Sequence, residues 1–263
     1  MSRIDEVLNQ LKGIAANPKK AMDDYKAETG KGAIGIMPLY APEELVYAAG
    51  RLPIGMWGGS KPISKARTYL VPFACSIMQE VMELQCCGAY DELEAVIFST
   101  PCDTLKNLSQ KWRGKCPVII FTHPQNRVVE SSNEYLAEEY RIVKEKLEEI
   151  TGISITNNAI ENAITIYNEN RAVMREFVKT AAEYPNIIDP ISRHAVFKSR
   201  MFMDKAKHTV LVKKLIEEIR KSEIQPWNGK KVILTGILAE PNEVLDILKE
   251  NGIAVVADDL AQE

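Results

Sequence analysis

The chain has 263 residues, with 46% hydrophobic and 26% charged side chains and a formal net charge of −3, the balance of an ordinary globular protein. Such a charge creates no global positive field for nucleic acid, and no apolar run approaches the ~20 residues of a membrane-spanning helix. Five cysteines, an odd number, argue against a disulfide framework. With no signal-peptide apolar centre in residues 1–18, the expected location is cytoplasmic.

In chain order, residues 4–14 have helical periodicity and residues 19–26 extend or follow that helix. Residues 33–37 form a short apolar strand ended by Pro38. Pro42 then opens a helix that Gly50 terminates. A second strand over 52–57 ends at Gly58-Gly59, and a helix over 77–84 follows Cys75. Strands over 95–99 and 117–122 bracket a helix over 104–112. This alternation predicts an α/β fold with a parallel, Rossmann-like sheet in an N-terminal domain of residues 1–130. Long helices over 132–150, 158–184 and 205–221 predict a helical middle segment, residues 131–226. A strand, helix and strand over 231–257 then predict the start of a second α/β domain in residues 227–263. One βαβ unit cannot cover both faces of a sheet, so this part is expected to be incomplete or to lean on another domain.

Cys75 and Cys102 each stand where a strand or loop passes into a helix. A helix N-terminus offers unpaired N–H groups and positive potential, which suits an anionic sulfur. Two such cysteines can bind a soft metal or cluster, one can act as a nucleophile, or both can be core residues. Cys86 and Cys87 fall on adjacent helical positions about 100° apart and read as buried small residues, as does Cys116 at a strand start. His123 ends a buried strand, where open α/β sheets place ligands, and Asp258-Asp259 ends another. His194 and His208 read as structural or exposed. Gly30-Lys31-Gly32-Ala33-Ile34-Gly35 matches GxGxxG but precedes a strand rather than opening a helix, so it reads as accidental.

Several segments together carry a family resemblance: Tyr40-Ala41-Pro42-Glu43-Glu44-Leu45, Leu52-Pro53-Ile54-Gly55-Met56-Trp57-Gly58, Phe73-Ala74-Cys75-Ser76, Cys102-Asp103-Thr104-Leu105, His123-Pro124-Gln125-Asn126-Arg127 and Val256-Ala257-Asp258-Asp259. In order and over nearly the whole chain, the sequence resembles the β subunit of oxygen-sensitive 2-hydroxyacyl-CoA dehydratases, relatives of the benzoyl-CoA reductase subunits. It is most like the branch acting on 2-hydroxyisocaproyl-CoA and phenyllactyl-CoA. The resemblance implies a lyase that works through a ketyl radical. It implies a [4Fe-4S] cluster ligated by Cys75 and Cys102 that relays an electron, with Trp57, Asp103 and His123 near the site. It implies as partners a dehydratase α subunit, which carries most of the acyl-CoA contact, and an ATP-dependent iron–sulfur activator. Family members continue into a second α/β domain that holds another cluster cysteine. The expectation is therefore a C-terminally truncated chain, one ligand short and inactive alone. A benzoyl-CoA-reductase-like electron-transfer subunit and a non-catalytic scaffold for an α subunit remain as alternatives.

Overall fold

The computed structural model describes residues 2–37, 39–59, 62–126 and 128–261. Along the chain run α1 (Arg3–Ala16), α2 (Pro18–Thr29), β1 (Ala33–Ile36), α3 (Glu43–Ala48), β2 (Leu52–Gly55), α4 (Ser76–Cys86), β3 (Leu93–Ser99), α5 (Asp103–Lys111) and β4 (Val118–Phe121). There follow α6 (Glu130–Thr151), α7 (Asn157–Glu183), α8 (Pro190–Arg200), α9 (Lys205–Ile219), β5 (Lys230–Gly236), α10 (Asn242–Glu250) and β6 (Ile253–Leu260). The fold is α/β. Two compact units emerge, one of residues 22–164 and one joining residues 1–21 to 165–263. Among the described residues, no helix is long and apolar enough to cross a membrane.

In the first unit the four strands are all parallel, in the order β2-β1-β3-β4. The two-residue period of a strand puts Ile34 and Ile36, Ala95 and Ile97, and Ile119 and Phe121 on one face. There they bury against Leu45, Val46 and Ala49 around α3 and against Val143 and Leu147 of α6. On the other face Phe98 meets the edge of Trp112 just after α5, with ring centroids 5.7 Å apart. Gly35 lies inside β1, where a Cβ would come 2.5 Å from Met56 Sδ and 2.8 Å from Leu93 Cδ1. The last glycine of the GxGxxG run is thus a packing residue within a strand.

The second unit is helical, with one βαβ unit. Val7, Leu8 and Leu11 of α1 join Val173 and Phe177 of α7, Val196 and Phe197 of α8, and Val212, Leu215 and Ile216 of α9 in one core. Sequence periodicity does not reveal α8, because its buried positions include Ser192, Arg193, His194 and Ser199 and so show no apolar stripe. Its start is nonetheless written locally. Asp189 caps it, accepting from the Ser192 N–H at 2.6 Å, and Pro190 fills the first turn. β5 and β6 pair in parallel, and α10 packs on α8 and β6.

Several buried charged groups in this unit are paired. Glu240 accepts from Lys198 and lies 3.2 Å from His194 Nε2. Burial pushes its carboxyl up, but the His194 hydrogen bond and the Lys198 charge outweigh that and hold it below the usual carboxylate range. Asp258 and Asp259 do not end a strand, since β6 continues to Leu260. The Asp258 side chain is 3% exposed and accepts from Arg193 Nε at 2.6 Å and from Arg193 Nη2. Reading Asp258 as a functional strand-end carboxylate is therefore corrected to a structural ion pair. Removing one partner strands a buried charge. Asp258→Ala is expected to lower unfolding free energy by about 3–5 kcal/mol, read from denaturant midpoints.

His208 is fully buried. Its Nδ1 lies 3.0 Å from Asn170 Nδ2, and its Nε2 donates to the Val196 carbonyl at 3.1 Å. Burial, with the Lys205 and Arg200 charges nearby, outweighs the Val196 bond and pushes its pKa from 6.5 down to about 3. Between those values the unfolded chain holds a proton that the fold refuses. Stability therefore falls as pH drops below about 6.5, by ~1.4 kcal/mol per unit. Measured from pH 6.5 to 5, this slope is expected to flatten in His208→Gln.

Candidate functional site at the carboxyl edge of the parallel sheet

Parallel strands joined by helices bring every strand end to one edge, and the helices that follow begin there. α4 starts with Cys75 as its N-cap residue, and its first turns lie against the end of β2, since Glu80 Oε2 accepts from the Gly59 N–H at 2.8 Å. Gln79 holds the turn that carries Cys75. Its side-chain amide donates to Ala74 O at 2.7 Å and Pro72 O at 3.3 Å. Glu83, one turn further on, accepts from the Ser64 N–H, the Ser64 hydroxyl and the Ala66 N–H at 2.8–3.0 Å. Burial pushes the Glu83 carboxyl up, yet those hydrogen bonds prevail and hold it below the ordinary value. Cys75 itself is exposed, and its side chain makes no capping hydrogen bond.

Cys102 is the N-cap residue of α5, directly after β3, and is also exposed. The strand order reverses between β1 and β3, so Cys102 stands at the switch point where such sheets bind ligands. Asp103 is exposed in the first helical turn beside it. Across the same edge the ring of His123, after β4, stacks on Tyr40, after β1, at 4.0 Å and 25°. Leu39 and Tyr40 hold left-handed φ values of 73° and 65°, which non-glycine residues adopt only under constraint. Two bonds supply it: Ser99 donates to Leu39 O at 2.5 Å, and Tyr140 donates to Tyr40 O at 2.8 Å. Trp57 follows β2 at this edge, but its side chain is buried in the core. Arg127 lies outside the described residues.

The remaining cysteines stand apart. Cys87 is exposed at the α4 C-cap and Cys86 half-buried, so the expected burial of both is corrected: the helix ends there and turns Cys87 outward. Cys116 is half-buried, just before β4. Burial, with the nearby Glu83 charge, pushes the Cys86 thiol up, and burial does the same at Cys116. Among the described residues, no group of three His, Cys, Asp or Glu side chains is placed to hold a metal ion. The edge therefore offers two cysteines, not a complete ligand set. Sequence reasoning missed Tyr40, Gln79 and Glu83; only Tyr40, set between two prolines, carried a local sign of a constrained turn.

A family model described as the 2-hydroxyglutaryl-CoA dehydratase D-component matches residues 38–263. The chain belongs to that family. It is 69% identical to the lactoyl-CoA dehydratase subunit beta of Anaerotignum propionicum, over 100% of this chain and 71% of that relative. Identity to the (R)-phenyllactyl-CoA dehydratase beta subunit of Clostridium sporogenes is 45%, over 100% of this chain and 71% of the relative. Identity to the (R)-2-hydroxyglutaryl-CoA dehydratase subunit beta of Acidaminococcus fermentans is 38%, over 99% and 70% respectively. The exposure pattern in this family member predicts its thiol reactivity. In brief native alkylation mapped by mass spectrometry, Cys75, Cys87 and Cys102 are expected to be modified before Cys86 and Cys116.

Proposed function

We propose that the chain serves as the β subunit of a 2-hydroxyacyl-CoA dehydratase, which removes water from a 2-hydroxyacyl-CoA to give the 2-enoyl-CoA. One observation carries this reading. Cys75 and Cys102 are exposed N-caps of successive helices at one sheet edge, in a chain 69% identical to a lactoyl-CoA dehydratase β subunit.

The reaction asks for more than side-chain acid–base chemistry. The C3 proton is not adjacent to the thioester carbonyl, so ordinary bases cannot remove it. One electron added to the thioester gives a ketyl radical anion, which expels the 2-hydroxyl as hydroxide. The resulting radical loses the now acidic C3 proton, and departure of the electron leaves the enoyl-CoA, so water is the net product. An iron–sulfur cluster, where bound, supplies such one-electron chemistry.

Four thiolates usually hold a [4Fe-4S] cluster, and the described residues do not provide them. Our reading is that Cys75 and Cys102 contribute two ligands and that the others come from protein outside the described set. The chain's own part is positional: Gln79 and Glu83 fix the Cys75 segment, and the Tyr40–His123 stack walls the neighbouring strand ends. The strongly exposed Phe73 and Val128, at 89% and 94%, sit in the loops flanking these residues and suit the surface of an α-type partner subunit. The electron source fitting this scheme is a separate ATP-hydrolysing iron–sulfur activator.

Anaerobic copurification with an α-type subunit, followed by iron and acid-labile sulfide analysis, tests the ligand assignment. Cys75→Ala and Cys102→Ala are each expected to lower iron per complex by about four atoms, one [4Fe-4S] cluster, and to lower dehydration at least tenfold. Unchanged iron in both variants would sink it.

A further inference from the structure

Cys86 and Cys87 are neighbours in the chain and take no part in the proposed ligand set. Inside a helix, adjacent side chains diverge by about 100°, which keeps two thiols apart. Here the helix ends at the pair. Cys87 is the C-cap residue of α4, with φ −95° and ψ 4°, and Gly88 turns left-handed at φ 79°. The Gly88 N–H donates to Gln85 O at 2.9 Å and the Ala89 N–H to Leu84 O at 3.0 Å, the paired bonds of a Schellman stop.

The peptide joining the two cysteines is therefore weakly committed to the helix. Its carbonyl, in the last turn, accepts from Lys65 Nζ at 3.2 Å. Its N–H is shared between Glu83 O at 3.0 Å and Leu84 O at 3.2 Å. Rotating this peptide costs one shared hydrogen bond and a surface lysine contact, and leaves the Schellman bonds in place. The two sulfurs differ in access. Cys87 is exposed, with its Sγ 4.0 Å from Glu83 Oε1, and Cys86 is half-buried. An exposed thiol beside a sheltered one is the arrangement of a redox pair: the outer sulfur meets the oxidant and the inner one resolves it.

We propose that the α4 C-terminus is a redox modification site, where hydroperoxides convert Cys86 and Cys87 into a reversible vicinal disulfide. The Cys87 sulfur attacks a peroxide oxygen. An S–O bond forms as the O–O bond breaks, and the departing hydroxide takes the Cys87 proton and leaves as water. The sulfur loses two electrons and the peroxide gains them. The Cys86 sulfur then attacks the Cys87 sulfur. The S–S bond forms, the S–O bond breaks, and hydroxide leaves as water with the Cys86 proton. Consecutive Cα atoms are about 3.8 Å apart, under the usual disulfide span of about 4.4–6.8 Å. Such a bond is strained and exposed, which makes it easy to reduce. Closing the ring draws Cys87 Sγ off Glu83 and turns the Cys86 carbonyl from Lys65, loosening the last turn of α4.

The test treats the reduced full chain with hydrogen peroxide, alkylates the remaining thiols and maps the peptides by mass spectrometry. Cleavage after glutamate releases residues 84–92, which hold both cysteines and no other. This peptide is expected to be lighter by two hydrogens and unalkylated, and to regain both alkylation sites after treatment with a small dithiol. In Cys86→Ser the oxidation is expected to stop at a Cys87 sulfenic acid that a cyclic dione captures. In Cys87→Ser the Cys86 thiol is expected to remain free. Amide exchange at residues 87–89 is expected to quicken on oxidation and to slow again on reduction. The proposal is overturned if the 84–92 peptide stays fully alkylated, if Cys87 is found joined to any cysteine but Cys86, or if it passes to sulfinic acid in the wild-type chain. The readout involves neither iron nor turnover, so its failure leaves the dehydratase reading untouched, and failure of the iron experiment leaves this site untouched.

Discussion

A parallel sheet needs helical crossovers to return the chain to its starting edge, and the candidate site depends on that constraint. Each crossover begins at the carboxyl edge, so any residue written just before a crossover helix is delivered there. Cys75 and Cys102 occupy that position on α4 and α5. Chain connectivity by itself brings them to one edge. The same geometry leaves their side chains outside the core, because an N-cap residue is only half within its helix. Burial of both sheet faces, seen in the fully covered Val96, Ile97 and Phe98, makes the edge a rigid platform.

The platform's loops are stiffened by side chains from neighbouring elements. Glu83 gathers three donors from the segment before Cys75, so a carboxylate on the helix organises the loop that enters it. Ser99 and Tyr140 each fix a carbonyl of the left-handed Leu39–Tyr40 turn. Without them that turn would relax to an ordinary conformation and the Tyr40 ring would leave His123. A backbone held in a sparsely populated region by two independent bonds is what a preorganised edge requires. Elsewhere, buried ionic and amide groups do similar work: Arg193–Asp258 ties α8 to β6, and Asn170 links α7 to α9.

Much of this was legible in the sequence. Apolar runs such as residues 95–98 and 118–121 read as strands, and the helices between them follow from periodicity; the first run is buried on both faces, whereas Ile120 in the second, an edge strand, is exposed. What stayed hidden depends on partners distant in the chain. Asp258 reads as the polar end of a strand until Arg193, 65 residues away, neutralises it and lets β6 continue. α8 has no apolar stripe because its buried polar residues find tertiary partners such as Glu240. Cys87 looked buried because a helix C-cap, one residue beyond the packed face, has no signature sharper than a neighbouring glycine. The union of α1 with the helices after residue 165 is a purely tertiary fact.

An edge with two well-placed cysteines and an incomplete ligand set has a physical consequence for assembly. On the proposed function, a cluster held by two thiolates alone would leave iron sites open to water and oxygen, while further ligands from other protein would close the coordination and exclude solvent together. The exposed Phe73 and Val128 beside the cysteine-bearing loops favour the same outcome, since covering them gains apolar burial when a surface docks at the edge. Cluster retention and partner docking would then be coupled equilibria, each stabilising the other by mass action. On that proposal, loss of either cysteine should weaken association as well as iron content, whereas a change confined to the apolar loops should release iron without touching a proposed ligand.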